Sequence, residues 1–251
     1  MKTLLLDIET TPNIAYTFDL WRTTIAPVKI IEVSRVLCFG AKWLDSPRKS
    51  IEFYSAFSGA ESDMREEMLD NAHRLLDEAD VVVHYNGHAF DIPYLNREFL
   101  LEGYLPPSPF KQIDLLQTVR KVFQFPSNQL AHVSKELGLP GKVEHEGFAL
   151  WIKCMNGDRK AQRLMEKYNK QDVYMLEDLY HYLQPWILSH PSHAAYTGEF
   201  VCPACGSANL QKRGFALTSV SKFQQYQCQD CGKYSRDTRR VSGAKITGVT
   251  Q

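Results

Sequence analysis

Asp7 and Glu9 close an apolar stretch, Lys2-Thr3-Leu4-Leu5-Leu6-Asp7-Ile8-Glu9-Thr10. Read as a strand, it alternates with period two: Leu4, Leu6 and Ile8 point to one face, Leu5, Asp7 and Glu9 to the other. Two carboxylates one residue apart on one face repel each other, and burying them together is costly unless a cation neutralises them. A hard divalent ion such as Mg²⁺ does so through oxygen ligands. A strand that leaves its sheet and exposes an acidic end fits the same residues equally well. Asp172 tilts the balance. Leu164, Tyr168, Asp172, Met175, Leu179 and Leu183 recur at spacings of 4, 4, 3, 4 and 4, one face of a helix. The aspartate stands where an aliphatic residue is expected, and an unpaired charge there is strongly unfavourable. Lys167 and Lys170 are rotated off that face, so a metal shared with Asp7 and Glu9 is the simplest counter-charge. An Asp172 on the exposed edge of the stripe, paired elsewhere in the chain, is the alternative.

The elements that must position these groups alternate between strand and helix. Thr10-Thr11-Pro12-Asn13 breaks the first strand, and residues 14–34 show no period. Residues 35–44 and 50–56 are rich in β-branched and aromatic side chains and read as a hairpin turning at Asp45-Ser46-Pro47. Residues 61–79 are expected to be helical, with Met64, Met68, Leu69, Ala72, Leu75, Leu76 and Ala79 at three- and four-residue spacing and Glu61 and Asp63 at the positive end. The triple valine at 81–83 is a short buried strand that Asn86-Gly87 ends in a turn. A helix follows to about residue 102, which puts Asp91 at the carboxyl edge of a sheet, where open α/β folds keep their sites. Residues 114–124 and 127–138 read as two short helices, the second stopped by Gly138 and Pro140. Residues 141–150 read as a loop, and a long helix runs from Gly157 to Leu183.

Three segments now stand in order: Asp7-Ile8-Glu9-Thr10, then Tyr85-Asn86-Gly87-His88-Ala89-Phe90-Asp91-Ile92-Pro93-Tyr94-Leu95, then Tyr168-Asn169-Lys170-Gln171-Asp172. Together they resemble the three motifs of the DEDD 3′→5′ exonucleases. The last, Tyr-x₃-Asp, resembles the tyrosine subtype, and the middle one is similar to the proofreading domain of family-B DNA polymerases. The resemblance covers residues 1–185, and with no polymerase domain after them it implies a stand-alone relative. It implies a ribonuclease H-like α/β fold, a mixed sheet with its first three strands antiparallel and helices flanking it. It also implies two Mg²⁺ (or Mn²⁺) ions. Two metals about 3.5–4 Å apart can both activate a water and stabilise the leaving alkoxide. By the resemblance, Asp7 bridges the metals, Glu9 and Asp172 hold the one that activates water, and Asp91 serves the second. Tyr168, one helical turn before Asp172, orients the attacking water; a phenol with a pKa of about 10 is a positioner, not a strong base. The resemblance further implies contacts from Thr10 and Asn86 to the terminal nucleotide, though Asn86 is equally a turn residue. Phe90 either wedges against a base or packs in the core. His84 and His88 suit turn or core roles better than catalysis, and Trp21 either stacks on a base or packs.

Near the C-terminus, Cys202-Pro203-Ala204-Cys205-Gly206 and Cys228-Gln229-Asp230-Cys231-Gly232 form two C-x₂-C pairs separated by 22 residues. Each glycine lets the backbone turn beneath a metal, and four thiolates make a closed tetrahedral site for one structural Zn²⁺. The segment resembles a zinc ribbon, with short strands expected at 214–223 and 224–227 and a core too small to fold without the metal. Redox chemistry of either pair is the minor alternative. Cys38 and Cys154 sit among apolar residues and read as core. Lys212, Arg213, Lys222, Lys233, Arg236, Arg239 and Arg240 are interleaved with Phe215, Phe223, Tyr226 and Tyr234. Basic side chains neutralise phosphates and aromatic ones stack on bases, so the ribbon is expected to hold nucleic acid. A solvated basic surface, or docking to replication or repair proteins, is the alternative.

Charge divides the same way. The 251 residues carry 29 Lys+Arg and 29 Asp+Glu, but residues 200–251 hold eight basic and two acidic residues, leaving 21 and 27 to residues 1–199. An acidic body with a basic C-terminal segment fits a site that collects cations joined to one that meets an anion. No run of eighteen apolar residues suggests a membrane span. The N-terminus does not read as a signal peptide, so an intracellular, cytoplasmic location is expected, where cysteine pairs favour metal over disulfides. The expected organisation is an exonuclease domain at 1–185, a linker at 186–198, a zinc ribbon at 199–240 and a flexible tail at 241–251. The expected activity is metal-dependent 3′→5′ hydrolysis of single-stranded ends, DNA favoured over RNA. A structure-selective endonuclease on the same fold and a non-catalytic nucleic-acid-binding scaffold are the rivals.

Overall fold

The acidic stretch is a strand, β1 (Thr3–Thr10), buried on both faces through Leu4, Leu5 and Leu6. It belongs to a computed structural model that describes residues 1–18, 21, 24–57, 62–141 and 143–246, in two compact units: Lys2–Leu179, and the chain from Tyr180 onward. In the first unit the chain leaves β1 through a small antiparallel pair, β2 (Ile14–Ala15) with β3 (Ile30–Glu32), in the region that shows no sequence period. It returns as β4 (Val36–Trp43), antiparallel to β1, and β5 (Glu52–Ser55), antiparallel to β4, the expected hairpin. Helix α1 (Ser62–Glu78) follows; Glu61 lies outside the described residues. Then β6 (Val81–His84) pairs parallel to β1, helix α2 (Asp91–Leu101) starts on its aspartate, and β7 (Lys111–Asp114) pairs parallel to β6. The sheet order is β5-β4-β1-β6-β7, a mixed five-stranded sheet whose antiparallel part is its first three strands, as expected.

Two short elements differ from the sequence reading. Residues 114–124 do not begin a helix at once: β7 comes first, and Asp114 ends it while capping helix α3 (Leu115–Val122), its side chain accepting the Leu116 N–H at 3.0 Å. Four residues of Lys-Gln-Ile-Asp are too few to show a period of two. After α4 (Leu130–Glu136), the stretch 141–150 is a loop only as far as Gly147, where helix α5 (Phe148–Met155) begins. It buries Leu150 and Cys154 against Leu37, Cys38, Met165 and Tyr168. The long helix α6 (Arg159–Leu183) forms as its stripe predicts. The main core lies on the other side of the sheet, where Leu4, Leu6 and Ile8 meet α1 and α2; each such side chain, removed from water, contributes about 1.5–3 kcal/mol.

In the second unit, residues 186–198 are more ordered than the expected linker. A 3₁₀ turn (Gln184–Trp186) and a short helix α7 (His193–Thr197) lie there, and the His193 N–H bonds Pro203 O at 2.9 Å. The ribbon has three strands rather than two, β8 (Leu210–Leu217), β9 (Ser221–Cys228) and β10 (Tyr234–Gly243), in the order β10-β9-β8. Strand β10 extends three residues into the segment expected to be a flexible tail, and residues 247–251 lie outside the described residues. Among the described residues no helix is long and apolar enough to cross a membrane.

Candidate active site

Strand β1 and helix α6 bring three carboxylates together. Asp7, Glu9 and Asp172 place ligand oxygens within 4.8 Å of one another, Asp172 buried and the other two half-buried. The strand supplies its pair on one face, and β4 lies opposite with Gly40 across from Asp7 and Cys38 across from Glu9. Helix α6 supplies Asp172 and, one turn earlier, Tyr168. The Tyr168 hydroxyl hydrogen-bonds Asp172, and burial, with Asp172, Glu9 and Asp7 nearby, lifts its pKa well above the ordinary phenol value. His145 and Trp151 frame Tyr168, their rings edge-on to the phenol at centroid distances of 4.8 and 6.1 Å.

Asp91 is held differently. It is the first residue of α2, almost wholly buried, and its carboxylate accepts the Ile8 N–H at 3.1 Å. That N–H lies beyond Leu5–Val83, the last residues at which β6 pairs with β1. Asp91 is therefore clamped to the backbone between Asp7 and Glu9 and does not join the cluster of three. Burial pushes its carboxyl up to about 7, against the pull of the Ile8 hydrogen bond. Without divalent ions, the folded chain keeps a proton here that the unfolded chain, with a carboxyl pKa of about 3.9, has lost. Stability from this group is complete below about pH 4 and falls as pH rises through about 7, by at most about 1.4 kcal/mol per unit. Denaturant midpoints in buffer free of Mg²⁺ and Mn²⁺ should decline across that window, and Asp91→Asn should flatten the decline. An unchanged slope in the variant would assign it to another group.

One neighbour escaped the sequence reading. Asn169, fully buried, donates from Nδ2 to Asp7 Oδ2 at 2.9 Å and to Asp7 O at 3.1 Å. It holds the Asp7 carboxylate against the Asp7 backbone carbonyl in one orientation. Its place inside Tyr168-x₃-Asp172 was the available signal. The space it needs comes from Gly40, where an added Cβ would lie 2.5 Å from Asn169 Oδ1 and 3.1 Å from Val173 Cγ2. Gly40→Ala is therefore expected to displace Asn169 and lower turnover roughly 10²-fold, the cost of about 1 Å of misplacement, with kcat falling more than KM rises; steady-state kinetics beside a melting curve would check it.

The remaining candidates line the surroundings. Thr10 borders a cavity of about 320 Å³ with Thr11, Gly147, Phe148 and Trp151. Asn86 adopts φ 72°, a left-handed conformation that asparagine tolerates, and its N–H donates to Asp114 Oδ1 at 2.9 Å. It is thus a turn residue, and it also borders a cavity of about 640 Å³ with Tyr85, Arg120 and Asn128. Phe90 packs against Tyr94, with ring centroids 4.8 Å apart, at the edge of the main core. His84 is buried in the turn, where its Nδ1 accepts the Gly87 N–H at 3.0 Å, while His88 and Trp21 are exposed.

In the second unit the four cysteines converge, their sulfurs within 4.8 Å of one another and the pairs Cys202–Cys231 and Cys205–Cys228 at 3.7 and 3.6 Å. A tetrahedron with Zn–S bonds of about 2.3 Å has edges of about 3.8 Å, so the thiolates fit zinc. Gly206 and Gly232, at φ 75° and 81°, donate back to Cys202 O and Cys228 O and make the turn under each pair.

A family model described as the RNase_H superfamily matches residues 31–184. Among solved structures, the chain is similar to the family B DNA polymerase of the hyperthermophilic archaeon Pyrobaculum calidifontis, with a TM-score of 0.53 and 16% identity over 90% of this chain and 33% of the polymerase. The chain thus spans about a third of that protein and shares its fold over that part. No curated protein matches the chain in sequence.

Proposed function

The chain belongs to the RNase_H superfamily, and we propose that it is a metal-dependent 3′→5′ exonuclease, cutting phosphodiester bonds at single-stranded 3′ ends, DNA in preference to RNA. One observation carries this: Asp7, Glu9 and Asp172, from elements far apart in sequence, converge their oxygens beside a buried phenol bonded to the third. Three carboxylates alone repel a polyanion, so the cluster serves a phosphodiester only with cations in it. An all-oxygen donor set suits hard ions such as Mg²⁺ or Mn²⁺. Asp7, Glu9 and Asp172, with Asp91 behind Ile8, would hold two of them, and when bound they supply an activated water and stabilise the leaving 3′-alkoxide.

The chain's own groups do the rest. Asn169 keeps the Asp7 carboxylate in one orientation. Tyr168 positions the attacking water through its hydroxyl beside Asp172 and takes no proton itself. Thr10, which lines one cavity with Phe148 and Trp151, and Asn86, which lines the other, contact the terminal nucleotide. Phe90 acts through the core edge it fills, supporting the turn that presents Asn86. Residues 1–185 form the exonuclease and 199–240, with the last three residues of β10 added, the ribbon, in which Cys202, Cys205, Cys228 and Cys231 hold one structural Zn²⁺.

The test is digestion of 5′-labelled single-stranded DNA and RNA with Mg²⁺ or Mn²⁺, beside an Asp7→Ala control. A ladder shortening from the 3′ end, absent in the control, is expected, faster on DNA. One discrete internal cut would replace the exonuclease with an endonuclease on the same fold, and binding without cleavage would overturn the enzyme altogether.

A further inference from the structure

The ribbon sheet has two unlike faces. Strand register puts Tyr226, Lys212 and Ser235 on one of them, and there the chain's own segment closes in: Phe200 meets Tyr226 edge-on at 5.1 Å, and a cavity of about 350 Å³ lies between Ala195, Glu199 and Pro203 on one side and Tyr226 and Ser235 on the other, with Arg236 also on its wall. On the opposite face, Phe223 lies across from Arg240, Gln225 from Arg236, and Gln227 from Tyr234. That set has no carboxylate. Of the nearby acidic residues, Asp230 is engaged by Ser207 and Asn209, Asp237 accepts the Arg239 N–H in the bulge of β10, and Glu199 shares the 350 Å³ cavity with Arg236 without belonging to the row.

Arg236 is also pre-oriented. Its Cζ lies 3.8 Å from the centre of the Phe223 ring. A guanidinium stacked on a ring loses little freedom on binding; its Nη1 donates to Asp237 O at 3.5 Å, and the remaining N–H groups face outward for a phosphate acceptor. Arg240 and Arg236 are exposed, and Tyr234 at the end of the row is half in water, so phosphate clamps and a stacking ring occur in one line along the strands. Glutamine amides between them offer donors and acceptors without charge.

We propose that this face, carrying Phe223, Gln225, Gln227, Tyr234, Arg236 and Arg240, is a track for single-stranded nucleic acid, with Arg236 and Arg240 gripping successive phosphates. Only the choice of a single strand over a duplex rests on the exonuclease reading.

The test measures binding without turnover. Full-length protein with Asp172→Asn is titrated into a 5′-fluorescent oligothymidylate, and anisotropy is followed across a series of salt concentrations. Arg236→Ala with Arg240→Ala should weaken affinity about 10-fold or more and reduce the slope of log affinity against log salt by about 0.7 for each arginine, the single-strand value. Lys222→Ala, on the other face, should leave the slope within error. Arg236→Lys, the variant least able to disturb the fold, should keep the slope but lose affinity, because charge survives and the fork does not. Zinc content is measured for each variant to confirm an intact ribbon. Equal losses from both faces would overturn the proposal in favour of a diffuse basic surface. Unchanged affinity in every zinc-loaded variant would overturn it and leave the face to a protein partner. Failure of the digestion assay leaves this outcome untouched, and failure here leaves the carboxylate cluster untouched.

Discussion

Asp172→Asn is expected to cut nucleolytic turnover at least about 10³-fold, some 4 kcal/mol of barrier, while the metal-free protein melts no lower than its parent. The two halves have opposite causes. The carboxamide fills nearly the same volume as the carboxylate and still offers an oxygen to the Tyr168 hydroxyl, so packing around α6 is conserved. It removes one of three like charges gathered within 4.8 Å, and losing like-charge repulsion in a partly buried cluster favours the fold. The same change removes a negative ligand from the site that would hold the divalent ions. Saturating Mg²⁺ is expected to raise the parent's melting temperature as RT ln(1 + [L]/Kd), and in the variant that rise should shrink or vanish. Kinetics with and melting curves with and without Mg²⁺ on the same preparations separate these effects. A variant that keeps most of its turnover would sink the metal assignment, and one that melts several degrees lower without metal would make Asp172 a structural residue.

Much of this arrangement was legible because it broke patterns. Asp172 interrupts an apolar helical stripe, Asp7 and Glu9 share a strand face, and Asp91 follows a turn at a strand end. Helix α6 carries a second buried acid, Glu177, and the contrast is instructive. Lys42, wholly buried on β4, meets Glu177 at 2.7 Å. That pair was not legible in the sequence, because strand alternation does not reveal that β4 is buried on both faces. One buried carboxylate on the helix is thus answered by a cation from the chain, and the other is gathered with two more carboxylates. Period-based reading also failed for short elements: β7 has four residues and α5 only eight, less than is needed to separate a strand or a short helix from a loop. Asp91 lay on the expected edge, yet its bond to the Ile8 N–H depends on where β6 stops pairing, which no local pattern encodes. Asn169 was hidden for a similar reason, since its role comes from the glycine opposite Asp7 on a different strand.

The second large effect concerns the ribbon: with zinc held by the four cysteines as proposed, it should unfold when the metal is removed. The buried apolar cluster around the knuckles consists of Cys202, Ala204 and Cys228, with Cys205, Leu210 and Cys231 partly buried against it. Four of those six are the cysteines proposed to hold the metal, so apart from them this cluster contains one alanine and part of one leucine, and the strands around it are only half-buried or exposed. That is far short of what ordering a three-stranded sheet costs in backbone entropy, about 1–2 kcal/mol per residue. A structural zinc contributes on the order of 10 kcal/mol, enough to decide between folded and unfolded. Cys228→Ser should therefore lose zinc and expose residues 200–246 to protease, while fragments covering residues 2–179 persist and keep cleaving nucleic acid at whatever rate their own site supports. A strong chelator should do the same to the parent, reversed by added Zn²⁺. Chelation must precede addition of Mg²⁺, so that loss of the ribbon is not confused with loss of the catalytic ions. A ribbon that stays protease-resistant after the zinc has been shown to leave would mean that the sheet holds itself together, and the cysteines would then be read as a redox pair of dithiols instead.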